Sequence, residues 1–437
     1  MIETMPNAVE LLQRLIRFDT TNPPGNEAAC MGYIQGLLAG AGIESTVVAR
    51  DPARPNLIAR LAGRGEAAPL LMYGHVDVVT TANQPWSRPA FAGDLVDGYV
   101  WGRGALDMKG GVAMMLSALL RAAAEGLQPA GDIIFCALSD EEAGSDFGAD
   151  YVVAQHADLF AGVKYAIGEF GGFTMHVGGK RFYPVQVAEK QVCWMSLTVR
   201  GQGGHGSMPV QGGAMAKLAR ALTTLDRRRL PVHVTPVVRD MLLSMADAIG
   251  GAQAALLRQL LNPRLTDFLL DRLGDKIAMF NPLLHNTVSP TILHGSSKIN
   301  VIPDEVTVQL DGRLLPGFGP DDMKAELRQL LGAEAEIEID RYDPGPPEPN
   351  MGLFGTLGDI LMQADPGAIP IPLLLSGVTD ARAFARLGIQ SYGFTPMKLP
   401  ADFAFLKYIH TADERVPAEA VLFGHEAVYR LLQRFRG

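Results

Sequence analysis

Apolar positions change their spacing along the chain, and each change marks an element. Over the first 188 residues, helical spacing at 5–18 and 27–41 alternates with short apolar runs at 43–49, 56–61 and 69–76, which predict strands. A loop containing "GYVWGRGALDMKGG" leads into a long helix at about 110–125. Then come the strand "DIIFCALS", an acidic turn, a helix near 147–155 and the strand "KYAIGEF". This alternation predicts an α/β domain with a mixed, largely parallel sheet flanked by helices, in which functional groups lie on loops at strand ends.

From residue 189 the texture differs. "QVCWMSLTVRG" alternates as a strand of an antiparallel sheet does, and a helix follows at "GAMAKLARALTTLD". The strands "TILHGSSKINVIP" and "EVTVQLDGRLL", the helix "PDDMKAELRQLLG" and the strand "AEIEIDRYDP" complete a β-α-β-β-α-β order, which is ferredoxin-like. A mostly helical insertion at about 234–280 separates the first helix from the second strand. The α/β texture returns with "IPLLLSGVTDARAFARLG", "SYGFTP" and a final helix at about 417–435. The expected organisation is therefore one α/β domain from 1–188 and 346–437, with an inserted α+β domain at 189–345.

Bulk properties narrow the function. At 437 residues the chain exceeds the size at which a single core keeps growing, which agrees with two domains. Its 38 Lys and Arg against 47 Asp and Glu give a net charge of -9, and no basic run tracks along it, so nucleic acid is not an expected partner. Cys30, Cys136 and Cys193 are odd in number and far apart. That argues against a disulfide framework and a thiolate metal site, and fits a reducing, cytoplasmic compartment. The amphipathic start, "MIETMPNAVELLQRLIRFDT", lacks the uninterrupted apolar core of a signal peptide. The most apolar helix, "GGVAMMLSALLRAAAEG", is broken by Arg121 and too short to cross a bilayer, so no membrane association is expected.

One strand carries polar groups that an apolar run does not need. "LLMYGHVDVV" places His75 and Asp77 two positions apart, on one side of an extended chain. The carboxylate can hold one ring nitrogen and leave the other free to bind a metal, although a core histidine satisfied by its neighbour accounts for the pair equally well. Asp140, Glu141 and Glu142 follow another apolar strand. Adjacent carboxylates repel one another and are costly to desolvate, so they face either water or a cation. Asp107 precedes a helix that it could cap, Glu169 ends a strand, and His410 lies in "YIHTADERV". Taken together, His75, Asp107, Glu142, Glu169 and His410 suit two divalent metals with one shared carboxylate. Glu141 is then left over as a general base.

The blocks "GHVDVV", "GRGALDMKGG", "SDEEAGS", "GEFGG", "GQGGHGSMP", "INVIPDEVTVQLDGRLLPG", "SGVTDARAF" and "IHTADERV" resemble, in that order, those of the M20 family of dinuclear zinc peptidases and deacylases. The resemblance runs over roughly residues 5–435. It implies two Zn2+ per chain, with Co2+ or Mn2+ as substitutes: His75 and Glu169 on one ion, Glu142 and His410 on the other, and Asp107 bridging. Asp77 then orients His75, and Glu141 is the base. His205 resembles the lid-domain histidine that stabilises an oxyanion, often in the partner subunit's cleft. Asn300 and Arg313 resemble groups that hold a substrate carboxylate, with Gly377 and Thr379 lining that pocket. The implied reaction is hydrolysis of an amide bond in an N-acyl amino acid or short peptide with a free carboxylate, by a metallocarboxypeptidase or aminoacylase. "VAEKQVCW" resembles the carboxypeptidase-like and N-acyl-amino-acid-hydrolase branch. The alternatives are a biosynthetic deacylase of the acetylornithine or succinyl-diaminopimelate type, and a non-catalytic metal-binding relative. A homodimer through the lid is also implied, which the insertion at 234–280 could support or block.

Overall fold

Three short apolar runs form the centre of a mixed sheet. Leu70–His75 pairs in parallel with Ile133–Leu138 on one side and Tyr165–Gly168 on the other, and Tyr165–Gly168 pairs in parallel with Gln390–Gly393. Every residue of the first two strands is buried, because both faces of the sheet are covered. On one face lies the helix Lys109–Ala124, whose Val112 and preceding Met108 approach Gly74. On the other, Leu71, Tyr73, Ile134 and Cys136 pack with Ala149, Val152, Phe160 and Phe384. Further strands extend this centre outward: antiparallel Asn56–Leu61 and then Glu44–Val48 at one edge, with antiparallel Lys180–Glu189 and, beside it, Ala368–Leu375 toward the other.

The computed structural model describes residues 6–332, 335–346 and 348–437. Its contacts divide the chain into one unit of Met1–Val187, Asn350–Leu373 and Thr379–Gly437, and a second of Ala188–Pro349 and Leu374–Val378. The second unit thus takes up Leu374–Val378, which the sequence pattern groups with the α/β domain. The amide of Lys190 donates to the carbonyl of Leu375 at 3.0 Å and ties that segment to the second unit.

In the second unit the sheet order is Thr287–His294, Glu305–Leu314, Gln191–Arg200, Ala335–Tyr342, all antiparallel. This is the ferredoxin-like arrangement that the β-α-β-β-α-β reading anticipates. Alternation puts Cys193, Met195, Leu197, Val306, Val308 and Leu310 in a core with Leu218 of the helix Ala214–Arg227 and Met323 of Pro320–Leu331. The insertion folds as the helices Pro236–Ile249, Gly251–Gln259 and Thr266–Leu273, and the short helix Asn281–Leu284 follows it.

Several elements escape the pattern, among them the helix Phe354–Ala364 and the small sheet of Asp94–Val96, Tyr99–Trp101 and Arg415–Pro417. The ten-residue strand Lys180–Glu189 carries Pro184, which reads against a strand because proline cannot donate to the ladder. The expected strand at "TILHGSSKINVIP" divides into Thr287–His294 and Val301–Ile302, and the second piece pairs with Gly204–His205. Among the described residues no helix is long and apolar enough to cross a membrane.

Candidate metal centre

The parallel centre of the sheet aims three strand ends at one place. His75 is the last residue of its strand, Glu141 and Glu142 open the turn after Ile133–Leu138, and Glu169 follows Tyr165–Gly168. Asp107 precedes the helix Lys109–Ala124 but does not cap it: Met108 holds the cap position without a side-chain hydrogen bond, and the Asp107–Met108 peptide is cis. His410 occupies a turn after Phe405–Tyr408 with a left-handed backbone, φ 60°. Gly393 allows the closest packing under Glu169, since a Cβ there would stand 2.5 Å from the Glu169 carbonyl oxygen and 2.3 Å from that of Phe170.

Two clusters result, and they share Asp107. His75 Nε2 lies 3.3 Å from Asp107 Oδ1 and 3.3 Å from Glu169 Oε2. His410 Nε2 lies 3.1 Å from Asp107 Oδ2 and 3.2 Å from Glu142 Oε1. One carboxylate therefore turns one oxygen toward each imidazole. His75 Nε2 is buried and, among the described residues, makes no hydrogen bond.

The electrostatics are those of an acid-rich site. Burial pushes Glu142 and Glu169 above the usual carboxylate range, against the relief that His410 gives the first and His75 the second. Glu141 is pushed well up, first by burial and then by the charge of Glu169. Burial would raise Asp107 too, but His410 and His75 outweigh it and hold this carboxyl low. The Asp107 and Glu142 carboxylates raise His410 to about 10.

Asp77 lies beyond the strand end and meets His75 Nδ1 twice, with its backbone carbonyl at 3.0 Å and its carboxylate at 3.5 Å. The carboxylate also accepts the backbone N–H groups of Glu141 and Glu142, both at 3.1 Å, and Asn22 Nδ2 at 2.8 Å. Asp77 thus faces the ring and also holds the Glu141–Glu142 turn. Asp140 leaves the acidic trio altogether. Its backbone is left-handed, φ 68°, and its carboxylate meets Arg54 Nη1 at 2.8 Å and Asn22 Nδ2 at 3.0 Å.

A second supporting carboxylate was not singled out from the sequence. Glu414 is fully buried and accepts the N–H groups of Gly104, Leu106 and Asp107 at 3.1, 2.7 and 3.2 Å, together with Arg103 Nη1 at 2.7 Å. Arg103 Nη2 donates to Gln84, whose amide reaches the carbonyl of His410 at 2.9 Å. The turn bearing Asp107 and the turn bearing His410 are therefore fastened to one another. The available signal was a glutamate four residues after His410 within "IHTADERV". Glu414→Gln is expected to weaken metal binding about 10- to 100-fold, the usual effect of loosening a group that orients ligands. Competition against a chromogenic chelator measures it, and unchanged affinity would refute the role.

The remaining candidates are distributed over both units. His205, exposed, bonds Ser207 Oγ through Nδ1 at 2.8 Å, and its ribbon brings Asn300 close: Gly206 donates to the Asn300 carbonyl at 2.8 Å. Arg313 pairs with Asp311 at 2.8 Å. These three and Gly377 belong to the second unit. Thr379 belongs to the first, where it opens the turn carrying buried Asp380, the acceptor of Ser145 Oγ at 2.6 Å. The structure thus gathers His75, Asp77, Asp107, Glu141, Glu142, Glu169 and His410 into one centre, and leaves His205, Asn300, Arg313 and Gly377 on another unit.

Comparison with known proteins agrees with this geometry. Residues 71–434 match the profile described as Peptidase family M20/M25/M40. A probable carboxypeptidase S-like 2 of Dictyostelium discoideum is 28% identical over 367 residues, covering 80% of this chain and 68% of that protein. The human N-fatty-acyl-amino acid synthase/hydrolase PM20D1 is 27% identical over 381 residues, covering 84% and 74% respectively. Among solved structures, an M20 family metallo-carboxypeptidase from Sulfolobus solfataricus superposes with a TM-score of 0.68 at 16% identity, over 98% of this chain and 99% of that one, and so shares the fold.

Proposed function

This chain belongs to peptidase family M20/M25/M40 and is a metallohydrolase of amide bonds, and on that premise we propose that it hydrolyses N-acyl amino acids or short peptides bearing a free carboxylate, using two divalent metals. Zinc is the proposed ion, with cobalt or manganese as working substitutes. The observation that carries the reading is the buried, unbonded Nε2 of His75 facing two carboxylates, one of which is shared with His410. Such a set of imidazole and carboxylate donors fits a pair of borderline cations bridged by Asp107, with His75 and Glu169 on one and Glu142 and His410 on the other. The matches to carboxypeptidase S-like and N-fatty-acyl-amino acid hydrolases over more than three-quarters of the chain support this substrate class above a biosynthetic deacylase.

When bound, the cations would acidify a water and polarise the scissile carbonyl. Glu141 takes the proton from the attacking water and passes it to the leaving nitrogen. Its position beside both ligand clusters, in neither of which it takes part, leaves its carboxylate for that proton. In this reading His205 donates to the developing oxyanion, Asn300 and Arg313 hold the substrate carboxylate, and Gly377 and Thr379 line its pocket. His205→Ala is expected to lower kcat about 100- to 1,000-fold while metal content stays constant. Unchanged kcat would remove His205 from the mechanism.

The outer edge of Thr287–His294, with exposed Ile292 and Leu293, is left unpaired by the helical insertion and supports a homodimer through the second unit. Mixing Glu141→Gln with His205→Ala protein tests whether His205 acts across that dimer: regained activity marks action on the partner's site. The three buried free cysteines support a cytoplasmic location. The substrate reading is tested with zinc-loaded protein and a panel of N-acyl amino acids and dipeptides beside their C-terminal amides. Turnover confined to free carboxylates is expected, and equal turnover of the amides would contradict it.

A further inference from the structure

The mechanism leaves the buried Lys190 without a task. Lys190 is 1% exposed, and its Nζ donates to the His285 carbonyl at 2.9 Å and to Thr287 Oγ1 at 2.8 Å. Both acceptors are neutral, and among the described residues no carboxylate forms an ion pair with it. An ammonium so placed is costly to keep charged.

Its surroundings contain a second incompletely matched cation. Thr287 lies directly across the sheet from Arg313, and Val192, two residues after Lys190, lies across from Arg313 on the other side. Lys190 Nζ, Thr287 and Arg313 therefore gather at one end of the sheet. Arg313 engages Asp311 through Nε at 2.8 Å and Nη2 at 3.1 Å, while its Nη1 is buried without a partner. Two basic groups thus share a single acid. On the other side of the His285 backbone, the His285 ring, which burial holds toward its neutral form, bonds Asp267 at 3.0 Å, and Arg229 faces the same Asp267 at 3.8 Å.

We propose that Lys190 and Arg313 together bind the carboxylate of the substrate, and that Lys190 takes up a proton from solvent as the substrate arrives. The inference rests on the assignment of Arg313 to that carboxylate. Burial, and after it the Arg313 guanidinium, depress Lys190 to about 7. Above that pH the free protein holds a neutral amine, and an incoming carboxylate supplies the negative charge that makes an ammonium affordable. A substrate lacking a carboxylate gains nothing from this pair.

Three results are expected. KM for an N-acyl amino acid rises about tenfold per pH unit above 7 without a parallel change in kcat. Calorimetry of substrate binding to zinc-loaded Glu141→Gln protein at pH 8, in buffers of different protonation enthalpy, shows uptake of close to one proton. Lys190→Met removes both the uptake and the KM slope. Stability supplies a further readout: the unfolded chain binds the Lys190 proton up to its ordinary pKa near 10.5, so stability relative to Lys190→Met climbs with pH between about 7 and 10.5. The uptake measurement needs no substitution at 190, so it stands even if Lys190→Met fails to fold. Normal substrate affinity in Arg313→Met would overturn the assignment of Arg313 itself. Weakened affinity in Arg313→Met together with zero proton uptake, or with uptake that survives in Lys190→Met, would overturn the role of Lys190 alone.

Discussion

Glu141→Gln is expected to retain its metals and lose turnover by about 1,000- to 10,000-fold, the upper part of the range for a proton-transferring residue. The replacement keeps the shape of the side chain and removes only its basicity. Glu141 belongs to neither ligand cluster, and its backbone N–H, bound to Asp77 Oδ1 at 3.1 Å, is untouched by the change, so the Glu142 beside it keeps its place. KM should move little, because the proton transfer belongs to the transition state and not to substrate binding. Elemental analysis beside steady-state kinetics checks both halves. Metal lost together with activity would make Glu141 a ligand and invalidate its separation from Glu142.

Asp107→Ala should have the opposite signature, weakening both metals together by more than about 100-fold, beyond what outer orienting groups cost. Its two oxygens face His75 and His410 at 3.3 and 3.1 Å, and among the described residues it is the side chain that both clusters share. A bridging carboxylate also offsets the repulsion between two dications, and without it occupancy of one position opposes occupancy of the other. Chelator competition should therefore show both affinities falling. One ion held at wild-type affinity, with activity kept, would end the bridging assignment.

What could be read from the sequence was whatever announces itself locally. His75 and Glu169 interrupt or end apolar strands, and Glu141 and Glu142 follow one directly, so the parallel centre of the sheet brings to one place what the pattern had marked separately. The supporting groups are legible only through long-range packing. Glu414 reaches back more than 300 positions to the Asp107 turn, and Asn22 more than 50 to Asp77. Nothing in the spacing of either announces such a partner. Asp140 shows the same limit within three residues: adjacency groups it with Glu141 and Glu142, whereas a left-handed backbone turns it toward Arg54. Lys190 likewise reads as a polar residue at the entry to the strand "QVCWMSLTVRG", and only the fold buries it.

The central claim is a catalytic pair of metals held by His75, Asp107, Glu142, Glu169 and His410. Its most direct test is to titrate metal-depleted protein with zinc while following bound metal and hydrolysis of an N-acyl amino acid in the same samples. The account predicts saturation at two ions per chain, with activity absent from the depleted protein and complete when both positions are filled. Saturation at one ion or none, or undiminished hydrolysis by the depleted protein, would contradict it.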